Sequence, residues 1–344
     1  MGSLLRDPPR YARINSEWTV ADSRGAILCR LGRFRMRYRV EPGLYALGKP
    51  DMNSPVFVSA NYKLSFDVVR KGLRGLDCWI LVLDTRGFNV WCAAGAGTFG
   101  SEELVERIVK ARLDEVVRHR TLIVPQLGAT GISAQAVKKH SGFQVRFGPV
   151  RSADIPAYLS NGCAASREMR QVRFGIVDRM VLTPMELGQS LLRFSVFALA
   201  AFIVAGLTPG GVVFGKAWSG AWPLFVLGLG AIFSGSFIVP LLLPWIPTRA
   251  FSLKGLITGA AVTAVFLHGA RLASGMDPFM VAACWLFFPA ASAYMALGFT
   301  GATTFTSLSG VRREIRLSLP LFIAAAAFTL AALVFSKLRQ WGVV

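Results

Sequence analysis

Between residues 55 and 176, short unbroken apolar runs alternate with stretches of helical spacing, and that alternation predicts an α/β fold. Ser54 to Ala60 reads as a short strand. Lys63 to Leu73 reads as a helix with Leu64, Val68 and Leu73 as its apolar positions, stopped at Gly75. Cys78 to Leu83 is apolar throughout, the pattern of a strand covered on both faces of a parallel sheet. Ser101 is placed to cap a helix with Glu102 and Glu103 in its first turn, where negative charge meets the positive end of the dipole. On that helix Val105, Ile108, Val109, Leu113, Val116 and Val117 would share one face. Leu122 to Gln126 (strand), Ser133 to His140 (helix) and Phe143 to Phe147 (strand) follow, then a helix starting at Asp154 with Pro156 in its first turn. This succession predicts a doubly wound, Rossmann-like sheet, a fold that takes ligands at the carboxyl ends of its strands.

From Ser190 onward the pattern changes. The chain becomes mostly apolar and its charges retreat to short connections, so the hydrophobic fraction of 53% averages two unlike halves. Five membrane spans are expected, at about 191–213, 221–246, 255–272, 278–299 and 317–336, long enough for a bilayer core near 30 Å. The expected organisation is an N-terminal extension over 1–54 packing on an α/β domain over 55–189, then an all-α five-helix transmembrane domain over 190–344. Trp218, Trp222, Trp245 and Trp341 fall near span ends, as interfacial anchors do. With the first half in the cytoplasm, Arg249, Lys254, Arg312, Arg313 and Arg316 fall in cytoplasmic connections, and Arg179 and Arg193 are expected before the first span. Lys216, Arg271, Lys337 and Arg339 fall outside, a modest bias in the direction of the positive-inside rule. No charged residue is expected in mid-span, which favours an anchor or docking platform over an ion-coupled pump. No cleavable signal peptide is evident, since Met1 to Trp18 is polar and holds prolines.

The net charge of +19 changes this picture little. The excess in the second half fits flanks that face anionic lipid, so nucleic acid is not an expected partner. In the first half, Arg30, Arg33, Arg35, Arg37 and Arg39 alternate like a solvated strand face, or form a docking surface for an acidic protein. The five cysteines (Cys29, Cys78, Cys92, Cys163 and Cys284) include no Cys-x-x-Cys pair, and no His or Cys stands at zinc-like spacing.

One segment carries candidate chemistry. Asn89-Val-Trp-Cys-Ala-Ala-Gly-Ala-Gly-Thr-Phe-Gly100 is small, glycine-rich and uncharged, with a single thiol, between a buried strand and a capped helix. Small residues around Cys92 would let a large flat ligand approach the backbone. In the first turn of a helix the dipole would favour a Cys92 thiolate, a soft metal ligand. On residues alone, a buried packing thiol or a weak phosphate loop remain open.

Asn89-Val-Trp-Cys-Ala-Ala-Gly95 resembles the signature of the corrinoid proteins of mercury methylation, the HgcA family. Pro42-Gly-Leu-Tyr-Ala46, Ala60-Asn-Tyr-Lys-Leu-Ser-Phe-Asp67, Leu81-Val-Leu-Asp-Thr85, His119-Arg120 with Leu122 to Leu127, and Phe147-Gly-Pro-Val150 extend the resemblance, as does the order of domain and spans. It implies a corrinoid-binding domain similar to that of the corrinoid iron–sulfur protein of acetyl-CoA synthesis, with residues near 90–97 as a cap helix over the corrinoid. It implies a cobalamin-type cobalt cofactor, with Cys92 as lower axial ligand, and a corrinoid-dependent methyltransferase that passes a methyl group from methyl-Co(III) to Hg(II). It further implies a ferredoxin-like partner with two 4Fe–4S clusters (HgcB type), a methyltetrahydrofolate-linked methyl donor, and a place in the cytoplasmic (inner) membrane. Corrinoid contacts are expected from Asn89, Val90, Trp91, Cys92, Ala93, Ala94, Gly95 and Thr98. Further contacts are expected at strand ends, from Ser59, Asn61, Gln126, Gly128, Gly148 and Pro149, where plain turn chemistry is the alternative. The family motif continues with Lys after Ala-Ala-Gly; this chain has Ala96, which leaves a different methyl acceptor open.

Overall fold

A computed structural model describes residues 10–343, so the first nine residues of the expected extension lie outside the described ones. The chain divides into two compact units, one ending at Val172 and the other starting at Arg173. The boundary precedes the expected 189/190 division, because the first apolar helix begins well before its apolar stretch.

In the first unit, β1 (Ala12–Ile14) leads to α1 (Val20–Leu31), β2 (Gly43–Leu47), β3 (Val56–Ala60), α2 (Lys63–Gly72) and β4 (Cys78–Leu83). Then come α3 (Val90–Ala96), α4 (Ser101–Lys110), α5 (Leu113–Val116), β5 (Thr121–Val124), α6 (Ala134–Ser141), β6 (Gln144–Phe147) and α7 (Ile155–Ser160). The six strands form one sheet in the order β1-β2-β4-β3-β5-β6. Strands β4, β3, β5 and β6 are mutually parallel, with Val58 opposite Leu81 and Leu122 opposite Val145, while β2 runs antiparallel to β4. All six residues of β4 are buried, as its unbroken apolar run requires of a central strand. Residues before 55 are thus part of the sheet itself, through β1 and β2.

Four local expectations are corrected. Gly100 is the N-cap of α4, and Ser101 is its first residue, whose hydroxyl accepts from the Ser133 N–H at 2.8 Å. The helix breaks at Arg112 (φ +49), so Val109 is exposed instead of sharing a face with Leu113. The arginine run is not a strand: α1 ends at Leu31 and a 3₁₀ turn covers Arg33–Met36. Finally, Ser59 lies within β3 and not after it, wholly buried, its hydroxyl directed at the Ala60 carbonyl.

α1 is fixed on its inner side. Asp22, Gly25, Ala26 and Cys29 are buried, and a Cβ on Gly25 would fall 2.1 Å from Tyr38 Oη. Asp22 joins a buried ionic cluster. Arg70 lies 2.6 Å from Asp22 and 3.0 Å from Asp67, and Lys63 lies 3.2 Å and 2.7 Å from the same two carboxylates. Arg70 Nη1 also donates to the Asn15 and Glu17 carbonyls. Burial alone would raise the Asp22 carboxyl. The Thr19 N–H, Arg70, the Thr19 hydroxyl and Lys63 outweigh it and hold the group well below the usual carboxylate range.

The second unit contains α8 (Ile176–Gly206), a short hairpin of β7 (Leu207–Thr208) and β8 (Gly211–Val212), α9 (Phe214–Phe233) and α10 (Val239–Leu241). It continues with α11 (Phe251–Ala264), α12 (Pro278–Gly298) and α13 (Leu308–Gln340). Among the described residues, five helices are long and apolar enough to cross a membrane: Ile176–Gly206, Phe214–Leu241, Phe251–Gly269, Pro278–Gly301 and Ser309–Gln340. They are displaced from the expected spans because helices run on past their apolar windows. Arg193 lies well inside α8 instead of before the first span, Lys254 lies inside α11 instead of in a connection, and Glu314 lies inside α13. Lys254 is buried but satisfied, donating to the Leu243 and Ile246 carbonyls at 2.8 and 2.6 Å. Glu314 accepts from the Ser252 N–H and hydroxyl. Between helices, Ser190 meets Ser236 (2.8 Å), and Ser234 meets Thr258 (2.9 Å) and Ser292 (3.0 Å). Gly255 and Gly259 lie directly against Ala293 and Ser292. Small residues at close contacts with hydroxyl pairs between them are how helices associate in lipid.

Candidate functional site

Where β4 ends, the chain must turn and start α3, and a single side chain organises the turn. Asn61, just after β3, accepts from the Thr85 and Gly87 N–H groups at 3.1 and 2.9 Å through Oδ1 and donates to Asp84 through Nδ2. Its own N–H donates to the Leu83 carbonyl, and its carbonyl accepts from Val40. The Asp84 carboxylate accepts from the Arg86 N–H, Arg86 and Gly87 have positive φ, and the Thr85 hydroxyl lies 2.6 Å from the Phe88 carbonyl. Asn61 therefore has both ends of its amide engaged within the protein. In this structure its side chain shapes the loop.

Asn89 then caps α3 by accepting from the Cys92 N–H at 2.9 Å, and Gly97 (φ +84) closes it. The helix has two unlike sides. Val90, Ala93 and Ala94 are buried, whereas Trp91, Cys92, Gly95 and Ala96 are exposed. Cys92 sits in the first turn with its thiol on the open side. A Cβ built on Gly95 or Gly97 would meet nothing within 4 Å, so the open side is flat and clear. α3 falls within the stretch 90–97 in which a cap helix was expected.

The inner side is clamped. Phe99 is wholly buried and its N–H donates to the Ala93 carbonyl at 3.1 Å. A Cβ on Gly128 would fall 2.4 Å from the Phe99 ring, and one on Gly131 would fall 2.2 Å from the Phe99 carbonyl oxygen and 3.1 Å from Ala94 Cα. Gly131→Ala is therefore expected to destabilise the unit by about 1–3 kcal/mol. A thermal unfolding midpoint of the full chain equal to that of the parent would refute this clamp.

The other expected contacts divide. Gln126 lies in the 3₁₀ turn after β5, and its Oε1 is buried without a hydrogen-bond partner. A buried unpaired acceptor costs about 1–3 kcal/mol, so it marks a place where a donor from a ligand would be welcome. Thr98 is half-buried beyond α3, its hydroxyl 3.5 Å from the Ala93 carbonyl. Gly128, Gly148 and Pro149 are buried; Gly148 follows β6 and donates its N–H to Val124. Because β3, β4, β5 and β6 are parallel, Asn61, α3, Gln126 and Gly148 all follow carboxyl ends of strands, the edge where such sheets bind ligands. The clamp role of Gly128 and the hub role of Asn61 were not visible in sequence, since both depend on partners over 20 residues away.

An exposed thiol on a flat face of small residues, with an orphan acceptor on the same sheet edge, suits a planar ligand carrying amides and a soft metal. The comparisons point the same way. Residues 34–159 match the family model CdhD, the CO dehydrogenase/acetyl-CoA synthase delta subunit. Among curated proteins, the acetyl-CoA decarbonylase/synthase complex subunit gamma of Methanopyrus kandleri is 37% identical over 122 residues, 35% of this chain and 26% of that protein. The same subunit of Archaeoglobus fulgidus is 34% identical over 127 residues, 36% of this chain and 27% of that protein. The subunit from Methanocaldococcus jannaschii is 32% identical over 124 residues. The chain thus spans about a quarter of the length of the curated relatives it matches. The matches support a likeness between the α/β half of this chain and the corrinoid-binding domain of the corrinoid iron–sulfur protein.

Proposed function

We propose that the chain is a membrane-anchored corrinoid methyl carrier that delivers a methyl group to Hg(II), with Cys92 as the lower axial ligand of cobalt. The observation that carries this is the Cys92 thiol, exposed in the first turn of α3 on a face otherwise made of small residues and Trp91. When bound, the corrinoid supplies a cobalt centre able to hold a methyl group between donor and acceptor. The protein's part is to position and tune. Asn89 and Gly97 fix the ends of α3, so the backbone sets where Sγ points. Gly95 and Gly97 leave room for a flat macrocycle, and Gln126 Oε1 offers an acceptor to a peripheral amide. Cys92 would hold the group through a soft sulfur donor, the kind of donor that raises the electron density of the metal it binds. Electrons for cobalt would come from a ferredoxin-like partner with two 4Fe–4S clusters, and methyl groups from a methyltetrahydrofolate-linked donor. The five apolar helices would hold the protein in the cytoplasmic membrane with the α/β half inside.

A second reading keeps the carrier and changes the acceptor. Ala96 stands on the open face of α3 where the resembled motif has a lysine, so a cation that could steer the substrate or partner is missing. The test is methylmercury formation in cells that make this chain together with such a ferredoxin, beside cells making the Ala96→Lys variant. Methylmercury above the level of the untransformed host is expected for both. Its absence from the parent chain, with corrinoid still co-purifying, would overturn mercury as acceptor and favour the second reading.

A further inference from the structure

α1 presents an outer side that no described residue of the α/β unit covers. Its inner stripe of Asp22, Gly25, Ala26 and Cys29 is fixed by the ionic cluster and by the close approach to Tyr38. Opposite it, Val20, Arg24, Ile27, Leu28 and Leu31 recur at helical spacing and are all exposed, and Phe34 and Met36 continue the strip through the 3₁₀ turn. Val20 is 86% exposed, Ile27 59% and Leu31 54%. These are large apolar side chains held in water, where burial would favour them. Around them, residues 23–40 contain six arginines (Arg24, Arg30, Arg33, Arg35, Arg37 and Arg39) and no Asp or Glu.

We propose that the outer side of α1 and the turn after it form a membrane-surface element, seated in the headgroup layer of the anionic leaflet of the membrane that this chain spans. An apolar stripe edged by cations is the composition of a helix lying in that layer, where apolar groups sink about 5–10 Å and cations meet lipid phosphates. The chain itself supplies the proximity: the first of its five apolar helices starts at Ile176, four residues past the end of the α/β unit. The arginines are complementary to anionic lipid, and the absence of carboxylates between Ser23 and Val40 removes any repulsion from it. The proposal uses the reading of those five helices as spans but not the corrinoid chemistry.

The test is hydrogen–deuterium exchange of the full chain in nanodiscs of phosphatidylcholine alone and of phosphatidylcholine with phosphatidylglycerol. Incorporation into the discs reports the spans separately. Several-fold slower exchange over residues 27–36 is expected in the anionic discs, with no change over α6 as an internal control. The double variant Arg24→Glu/Arg37→Glu and the variant Leu31→Ser, both of exposed residues, are expected to lose that protection while keeping the parent's exchange elsewhere. Equal exchange in both discs would overturn the proposal. A photo-crosslinker at Leu31 in cells completes it: adducts with lipid are expected, and adducts only with a protein would overturn it in favour of an acidic protein partner.

Discussion

Cys92→Ala is expected to abolish methyl transfer while leaving the protein folded. The thiol is exposed and makes no packing contact that the fold depends on, because the buried side of α3 is Val90, Ala93 and Ala94. Truncation should therefore leave the unfolding midpoint within error of the parent. On the proposed ligation, the effect falls on the metal. Losing an outer-shell partner of a ligand already costs 10–100-fold in affinity or activity, so losing the ligand itself should reduce methyl transfer by about 100-fold or more. The sulfur-ligated absorption of the bound corrinoid should also disappear. Cys92→His is the informative companion, since an imidazole restores a donor of different softness. An Ala variant with an unchanged corrinoid spectrum and unchanged transfer would rule out Cys92 as ligand.

Arg70→Met is expected to have the largest effect on stability. It leaves the Asp22 and Asp67 carboxylates buried with only Lys63 between them, and frees the Asn15 and Glu17 carbonyls. Removing one partner of a buried ionic cluster costs about 3–5 kcal/mol. The cluster also predicts a pH dependence. The Asp22 carboxyl is held below its unfolded value, so its contribution is fully present above the unfolded pKa of about 3.9 and fades as pH falls through the lower folded value. Parent stability should therefore drop below about pH 4, and Arg70→Met should show less of that drop because it has already lost the main cation. Unfolding midpoints of the full chain between pH 3 and 7 measure both; parallel pH profiles for the two proteins would refute the assignment.

How far sequence carries depends on whether the determinants are local. β4 is found at its expected bounds because a six-residue apolar run has one compatible environment, the sheet interior. α3 was anticipated through the family resemblance and not from its own residues; in the structure Asn89 caps it and Gly97 ends it. The arginine run misled because alternation also arises when a helix ends and a tight turn follows; Gly32 is the local clue. β1 and β2 were missed as strands, since their partners are β2 and β4 and their own residues alternate weakly. The helix break at Arg112 needs a left-handed backbone at a non-glycine residue, which no side-chain pattern announces. In the second half, apolar windows gave the number of spans but not their ends. Arg193, Lys254 and Glu314 lie inside helices, where Tyr294, backbone carbonyls and Ser252 receive them.

The division of α3 into a clamped side and an open one separates two demands that proteins usually have to reconcile. Asn61, Phe99 and Gly131 hold the helix from within. Positions 91, 92, 95 and 96 face outward and take little part in holding it. Substitutions on that outward row can alter what the domain carries, or to whom it delivers, without drawing on the small stability margin of the fold. The row behaves as an exchangeable panel on a fixed frame. Lysine or alanine at position 96 would leave that frame alike, because the position is exposed.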